Sequence, residues 1–302
     1  MTATANEFAG IYRGKQQHDP DFDAVLDRAL GAGVEKIMLT GMSLDDVDFN
    51  LQIALARPQQ CFITVGVHPY HASEPDIEGP KYLERMTSLI QSLLERRTGP
   101  LAAFGELGLD YDHLEKASKE VQIRTFRAQL DLMTSHRFDL PLFLHCRAAF
   151  EDFIEVIKPY LEHLPRRGLV HSFVGTRSEM ETLVDMGFDI SVNGFSFKDE
   201  QSLEMVRHVP LERLQLETDA PWGEITSNSE LAKRYLKNAA PLPPSKKKDK
   251  FQLGLMVKER NESCAIGRVA FIVAGLKGIP VGDVVGSAWR NSNEMFRFGQ
   301  QT

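Results

Sequence analysis

The sequence predicts an α/β fold, a TIM-type (β/α) barrel, and three observations predict it. Seven short apolar segments, punctuated by glycine or proline, recur along the 302 residues. They read as strands buried on both faces, the mark of a parallel sheet covered by helices. Between them, apolar residues return every third or fourth position, as on a helix with one buried face. The glycine-rich GxGxxG turn that opens a dinucleotide-binding sheet is absent, because "GELGLD" follows a strand without that spacing. Regular strand and helix alternation implies right-handed crossovers, and seven or eight such units most often close on themselves.

Taken in order, the strand segments are "KIMLTG" (36–41), "CFITVGVHP" (61–69), "LAAFGELGLD" (101–110), "LPLFLHCR" (140–147), "GLVHSF" (168–173), "FDISVNG" (188–194) and "LQLETDAP" (214–221). Clear helical periods fall at 21–33, "DFDAVLDRALGAG", and at 119–136, "KEVQIRTFRAQLDLMTSH". After the last strand a polar stretch, 222–264, with "PLPP" and "KKKDK", breaks the pattern and reads as a long surface excursion. Its run from Lys246 to Lys250 reads either as a solvated face or as a basic rim beside a phosphate-binding mouth. Terminal helices within 265–298 should pack on the barrel exterior, making 1–302 one barrel domain. Residues 1–17 offer no strand-like run, so the first strand of an eight-stranded barrel is expected to be missing. The barrel is then expected to be open or imperfectly closed on that side.

Apolar content of 42% and charged content of 25% are ordinary for a globular protein. No apolar run approaches the ~18 residues of a membrane span, and the amino terminus lacks a signal-peptide core, so an intracellular protein of cytoplasm or nucleus is expected. Cys61, Cys146 and Cys264 lack CxxC spacing and read as reduced thiols. A net charge of -7 argues against a broad basic surface that grips nucleic acid. It leaves room for phosphate chemistry wherever carboxylates hold divalent cations.

The carboxyl ends of these strands read His68, Glu106 with Asp110, His145, His171 and Asp219. In a barrel they converge on one face, where imidazoles and carboxylates aimed into one mouth make a divalent-metal site. Clustering carboxylates without a cation would be costly. Glu217 reads as structural, and His18, His71, His113, His136, His163 and His208 as surface or packing residues. Cys146 falls on the opposite strand face from His145 and reads as a core thiol.

"GVHP", "GELGLDYD", "PLFLHCR", "VHSFVGT", "ETDAPW" and "KERNES" resemble the successive motifs of the TatD family of metal-dependent deoxyribonucleases, and "FAGIYRGKQQH" resembles its eukaryotic branch. The resemblance implies a metallo-dependent hydrolase barrel that cleaves DNA phosphodiester bonds with metal-activated water. Its partner would be DNA, single-stranded or nicked, with RNA a further candidate and no membrane involved. The cofactor would be a divalent metal, Mg2+ with Mn2+ or Zn2+ as substitutes, two ions in a complete site. Glu106, His145, His171 and Asp219 would be the metal ligands, and Asp219, Glu106 and His68 the catalytic residues. His68 would also face substrate phosphate. Arg147, placed by strand geometry beside His145 rather than by the motif, would join it there. The family's first strand carries two histidines one residue apart, or an acidic and amide variant; neither is found in residues 1–17, so the more exposed ion is expected to bind weakly. Alternatives are a small-molecule amidohydrolase-type hydrolase and a catalytically weakened nucleic-acid-binding homologue.

Overall fold

The structure, a computed structural model, describes residues 1–96 and 99–298. All seven expected strands form: β1 (Ile37–Leu39), β2 (Cys61–Val65), β3 (Leu101–Asp110), β4 (Leu142–Arg147), β5 (Gly168–Val170), β6 (Asp189–Val192) and β7 (Leu214–Leu216). They join one parallel sheet in sequence order, each strand pairing with the next. Because side chains alternate across a strand, the apolar runs feed two cores. Leu39, Ile63, Leu144, Val170, Ile190 and Leu214 face the main core under the surrounding helices. Phe62, Ala102, Phe143 and Leu169 face the barrel interior, where Phe296 plugs the amino end.

The helices are α1 (Phe22–Gly31), α2 (Leu44–Ala56), α3 (Pro80–Leu94), α4 (Lys119–His136), α5 (Phe150–Ile157), α6 (Arg177–Asp185), α7 (Glu200–His208), α8 (Ile266–Lys277) and α9 (Val281–Phe296), of which α1, α4, α8 and α9 fall in the segments that the sequence marks as helical. The start of α4 is set by Ser118, whose hydroxyl accepts the Val121 amide at 3.4 Å. No single helix among the described residues is long and apolar enough to cross a membrane.

Between β1 and β7 the barrel has a seam. Among the described residues these two strands do not pair with each other. Met1 fills one end of the seam: its amino group donates to the Met38 carbonyl at 2.9 Å, and its carbonyl accepts the Thr40 amide at 3.0 Å. That is the bonding pattern of a parallel bridge to Leu39. On the other side the Thr2 amide donates to the Ala220 carbonyl at 3.1 Å, so residues 1 and 2 span the seam at its carboxyl end. Below them lies a cavity of about 430 Å3, lined by Met38, Phe143, Leu169, Leu216 and Phe296 among others. The closure is imperfect, as the strand count implies, but the amino-terminal residues cap it further than their composition suggests.

The reading of 222–264 as a surface excursion needs correction at its end. Arg260 and Glu262 have no exposed side-chain surface. Arg260 makes a two-pronged contact with Asp21 at 2.6 and 2.7 Å and reaches Glu262 at 2.8 Å. Arg28 adds a 2.7 Å bond to Glu262 and a 3.2 Å bond to Asp21. Pairing of opposite charges is what makes such polar residues able to sit inside.

Candidate metal centre

The centre is built on β2 to β5. Glu106 arises within β3, and its Oε1 lies 2.8 Å from His145 Nδ1, 2.5 Å from His171 Nε2 and 3.3 Å from His68 Nε2. One carboxylate oxygen therefore collects three imidazoles from three neighbouring strand ends. Gly108 permits this approach: at φ +147°, its missing Cβ would stand 1.9 Å from the His145 carbonyl, so no larger residue lets β3 and β4 come together there.

The second nitrogen of each histidine separates their roles. His145 Nε2 lies 3.0 Å from Asp110 Oδ2, and His171 Nδ1 lies 3.5 Å from Glu217 Oε1. In both, one nitrogen is backed by a carboxylate while the other points to Glu106, the arrangement of an imidazole ligand oriented by an acidic neighbour. Their inward nitrogens, His145 Nδ1 and His171 Nε2, converge to 3.4 Å. His68 differs. Its Nδ1 accepts the Tyr70 amide at 3.1 Å, which leaves the proton on Nε2. His68, Glu106 and His145 lie close enough to surround an ion, with His68 presenting a hydrogen-bond donor there.

Electrostatics follow the geometry. Burial opposes ionisation of Glu106, but His171, His68 and His145 overcome it and hold the carboxyl well below its ordinary range. Burial is likewise overcome at Asp110, pulled down to about 2 by His145 and His113. His171 is buried, yet Glu106 and Glu217 hold it well above the usual histidine value. Burial lowers His68, with Glu106 only partly compensating. Asp219, just beyond β7 with φ +55°, is pushed up to about 6 by burial and by the nearby Glu217 carboxylate. Among the described residues, four carboxylates thus share the mouth with three histidines and no closely paired arginine or lysine, and the Met1 ammonium is the further cation that acts on Glu217 and Asp219. Such an oxygen and imidazole set with surplus negative charge fits a divalent cation.

Arg147 follows His145 by two residues on the same strand face and pairs in register with Asp110. Its guanidinium stands 5.8 Å from the centre of the Phe195 ring. Cys146 points away into the main core, where burial raises its thiol. Three participants escape the sequence reading. Glu217, read as structural, backs His171. Asn193 donates to Glu217 at 3.1 Å and to Ser172 at 2.8 Å. His113, read as a surface residue, stands at the rim with Nδ1 2.8 Å from Tyr70 Oη and 3.1 Å from Asp110 Oδ1. Only their proximity to strand ends, in "SVNG" and "LDYDH", could have pointed to the last two.

A family model described as TatD related DNase matches residues 12–297. The chain belongs to the TatD-related DNase family. It is 42% identical over 294 residues to the deoxyribonuclease Tat-D of Schizosaccharomyces pombe, covering 96% of this chain and 92% of that one. It is 33% identical over 290 residues to the 3'-5' ssDNA/RNA exonuclease TatD of Erwinia tasmaniensis, covering 95% and 98%. A TatD family hydrolase structure from Entamoeba histolytica superposes with a TM-score of 0.87 at 31% identity, covering 98% of this chain and 95% of that one. A Saccharomyces cerevisiae structure described as an uncharacterized amidohydrolase reaches 0.90 at 28% identity, covering 98% of both. TatD membership agrees with the barrel, the strand-end positions and the motif series together.

Proposed function

We propose that this TatD-family chain is a divalent-metal-dependent nuclease that hydrolyses phosphodiester bonds of DNA, acting on single strands or nicked sites and also on RNA. The observation that carries the reading is the Glu106 oxygen shared by His68, His145 and His171 at 2.5 to 3.3 Å, at the carboxyl face of the barrel. The deoxyribonuclease and exonuclease names of the relatives point the same way.

Glu106, His145 and His171 would hold one ion, and Asp219, with Glu106, a second; Mg2+ or Mn2+ suits the oxygen-rich side. Cations there supply charge neutralisation for the phosphodiester and make water acidic near neutral pH. Asp110 and Glu217 orient His145 and His171 through their outer nitrogens. Asp219 would also take the proton from the attacking water, since its carboxylate is the one proton acceptor of this set that no histidine binds directly. His68 offers its Nε2 proton to an oxygen of the phosphate under attack, and Arg147 its guanidinium to the backbone beside it.

The test is hydrolysis of a single-stranded oligonucleotide by protein stripped of metal, with and without added Mg2+ or Mn2+, alongside a panel of aryl esters and amides. Cleavage of the oligonucleotide that appears with metal and disappears with chelator is expected. Undiminished cleavage by verified metal-free protein, or turnover confined to the esters and amides, overturns the reading.

A further inference from the structure

The loop after β6 carries Phe195 into the mouth. Its amide donates to Asn193 Oδ1 at 2.8 Å, and the Asn193 side chain is tied to Glu217 behind His171. The ring is half-buried against Gly223 of the loop that follows Asp219, whose absent Cβ would lie 3.4 Å from it. Two cations from different elements flank this ring: Arg147 Cζ at 5.8 Å and the exposed Lys198 Nζ at 4.4 Å from its centre. Among the described residues neither cation has a salt-bridge partner; eleven arginines have one, which sets Arg147 apart, while Lys198 shares its lack of one with every described lysine but Lys233. An aromatic face attracts a cation without neutralising it, so the ring fixes both charges and leaves their outer hydrogens free for an anion.

We propose that Arg147, Phe195 and Lys198 form a bracket for the sugar-phosphate backbone of a nucleic-acid strand, holding a phosphate next to the one at the metal centre. The proposal deepens the nuclease reading and rests on it for the identity of the ligand. The ligand chemistry is a flexible polyanion. A single strand can bend so that one phosphate reaches His68 and its neighbour reaches the bracket, while a small phosphate ester spans only the first position. In an otherwise acidic mouth, two uncompensated cations on one rigid support supply the attraction that the net charge of -7 denies the surface as a whole.

The experiment measures binding of a fluorescent single-stranded oligonucleotide by anisotropy in chelator, across a salt series, together with KM and kcat for its cleavage with Mn2+. Lys198→Ser is expected to weaken binding roughly 5- to 10-fold and to reduce the steepness of the salt dependence by about 0.7, the value for one lost contact to a single strand. The loss should appear in KM, with Lys198→Arg restoring it. Phe195→Leu, which keeps an apolar contact with Gly223 but removes the aromatic face, should weaken binding similarly, and Phe195→Tyr should preserve it. Unchanged affinity and salt slope in Lys198→Ser and Phe195→Leu overturn the bracket. Lys198 is exposed, so a folding defect in Phe195→Leu still leaves a decisive variant. Wild-type protein that binds the strand through these residues but cleaves nothing upholds the bracket and removes the nuclease reading; wild-type protein that cleaves, with variants that match it, does the reverse.

Discussion

Two buried ionic clusters lie in this barrel, and they are built on opposite plans. Around Arg260, two guanidiniums meet two carboxylates, with Asp21 and Glu262 each touching both arginines and every pair within 3.2 Å. Around Glu106, four carboxylates meet three histidines that carry charge only by holding protons, with the Met1 ammonium the one fixed cation acting on Glu217 and Asp219 among the described residues. The first cluster contains its own counterions and does nothing but join residues 21 and 28 to residues 260 and 262. The second leaves negative charge over, which costs stability and makes the site receptive to cations. Buried charge alone does not mark function; an imbalance does.

Several substitutions break or sharpen this contrast. The largest effect is expected for Asp219→Asn, which should lower metal-dependent cleavage about a thousandfold, since it removes a charge and a proton acceptor with hardly any change in volume. In chelated protein at pH 7 the same change should raise stability by something on the order of 1 kcal/mol, because it removes a charge that burial first, and Glu217 second, disfavour enough to lift this carboxyl to about 6. Cleavage assays and urea unfolding check both; a destabilised Asp219→Asn protein would contradict the surplus-charge account. Arg260→Ala should behave the other way and cost about 3 kcal/mol, because Arg28 alone is left to balance the buried Asp21 and Glu262. Loss of less than about 1 kcal/mol in urea would show the balanced cluster to be dispensable.

pH separates the clusters further. Glu106 and Asp110, held below their ordinary range, stabilise the fold above about pH 4 and lose that contribution as pH falls. His171 and Asp219, both raised, favour the fold at lower pH, and their contribution is lost as pH rises through their folded values. The melting temperature of chelated protein should therefore peak near about pH 5–6 and decline toward about pH 8. Mn2+ competes with the protons on His171 and Asp219, so its affinity should rise across the same interval, with protons released. Calorimetric titration in two buffers of different ionisation heat measures that release; metal binding independent of pH would refute it. The same titration should resolve a weaker second ion on the Asp219 side. The smallest effect is expected from replacing Lys246, Lys247, Lys248 and Lys250 with serine, a two- to fivefold loss of oligonucleotide affinity that salt diminishes. No change would class that run as a solvated face.

The strand ends were legible because strands buried on both faces are nearly unbroken apolar runs, so a polar residue at the end of one stands out. His145 after Leu142, Phe143 and Leu144 is the plainest case. The family motifs added the roles, and the all-parallel order followed from the alternation of elements. Glu217 and Asn193 were harder, since both fall in segments where apolar residues already alternate with polar ones, and their value lies in a contact to His171 that no local pattern encodes. Arg260 was illegible for a stronger reason. Its partner Asp21 lies 239 positions away, and a polar stretch reads as solvated unless its counterions are known. The seam was half legible: the count of seven strands was plain, but the parallel bridge made by Met1 involves a single residue and has no periodicity to find.

The placement of the centre across the sheet has a consequence for how it fluctuates. His68, Glu106, His145 and His171 come from β2 to β5, strands with a neighbour on both sides, whereas Glu217 and Asp219 follow β7, which borders the seam. Amides of interior strands exchange with solvent only through large openings, and those at a margin exchange through small ones. One half of the centre is therefore on interior strands, and the half that holds Glu217 and Asp219 is on a margin tied across the seam by Met1 and Thr2. Opening of those few bonds would shift Glu217 and Asp219 while the strands that carry the histidines stay paired on both sides.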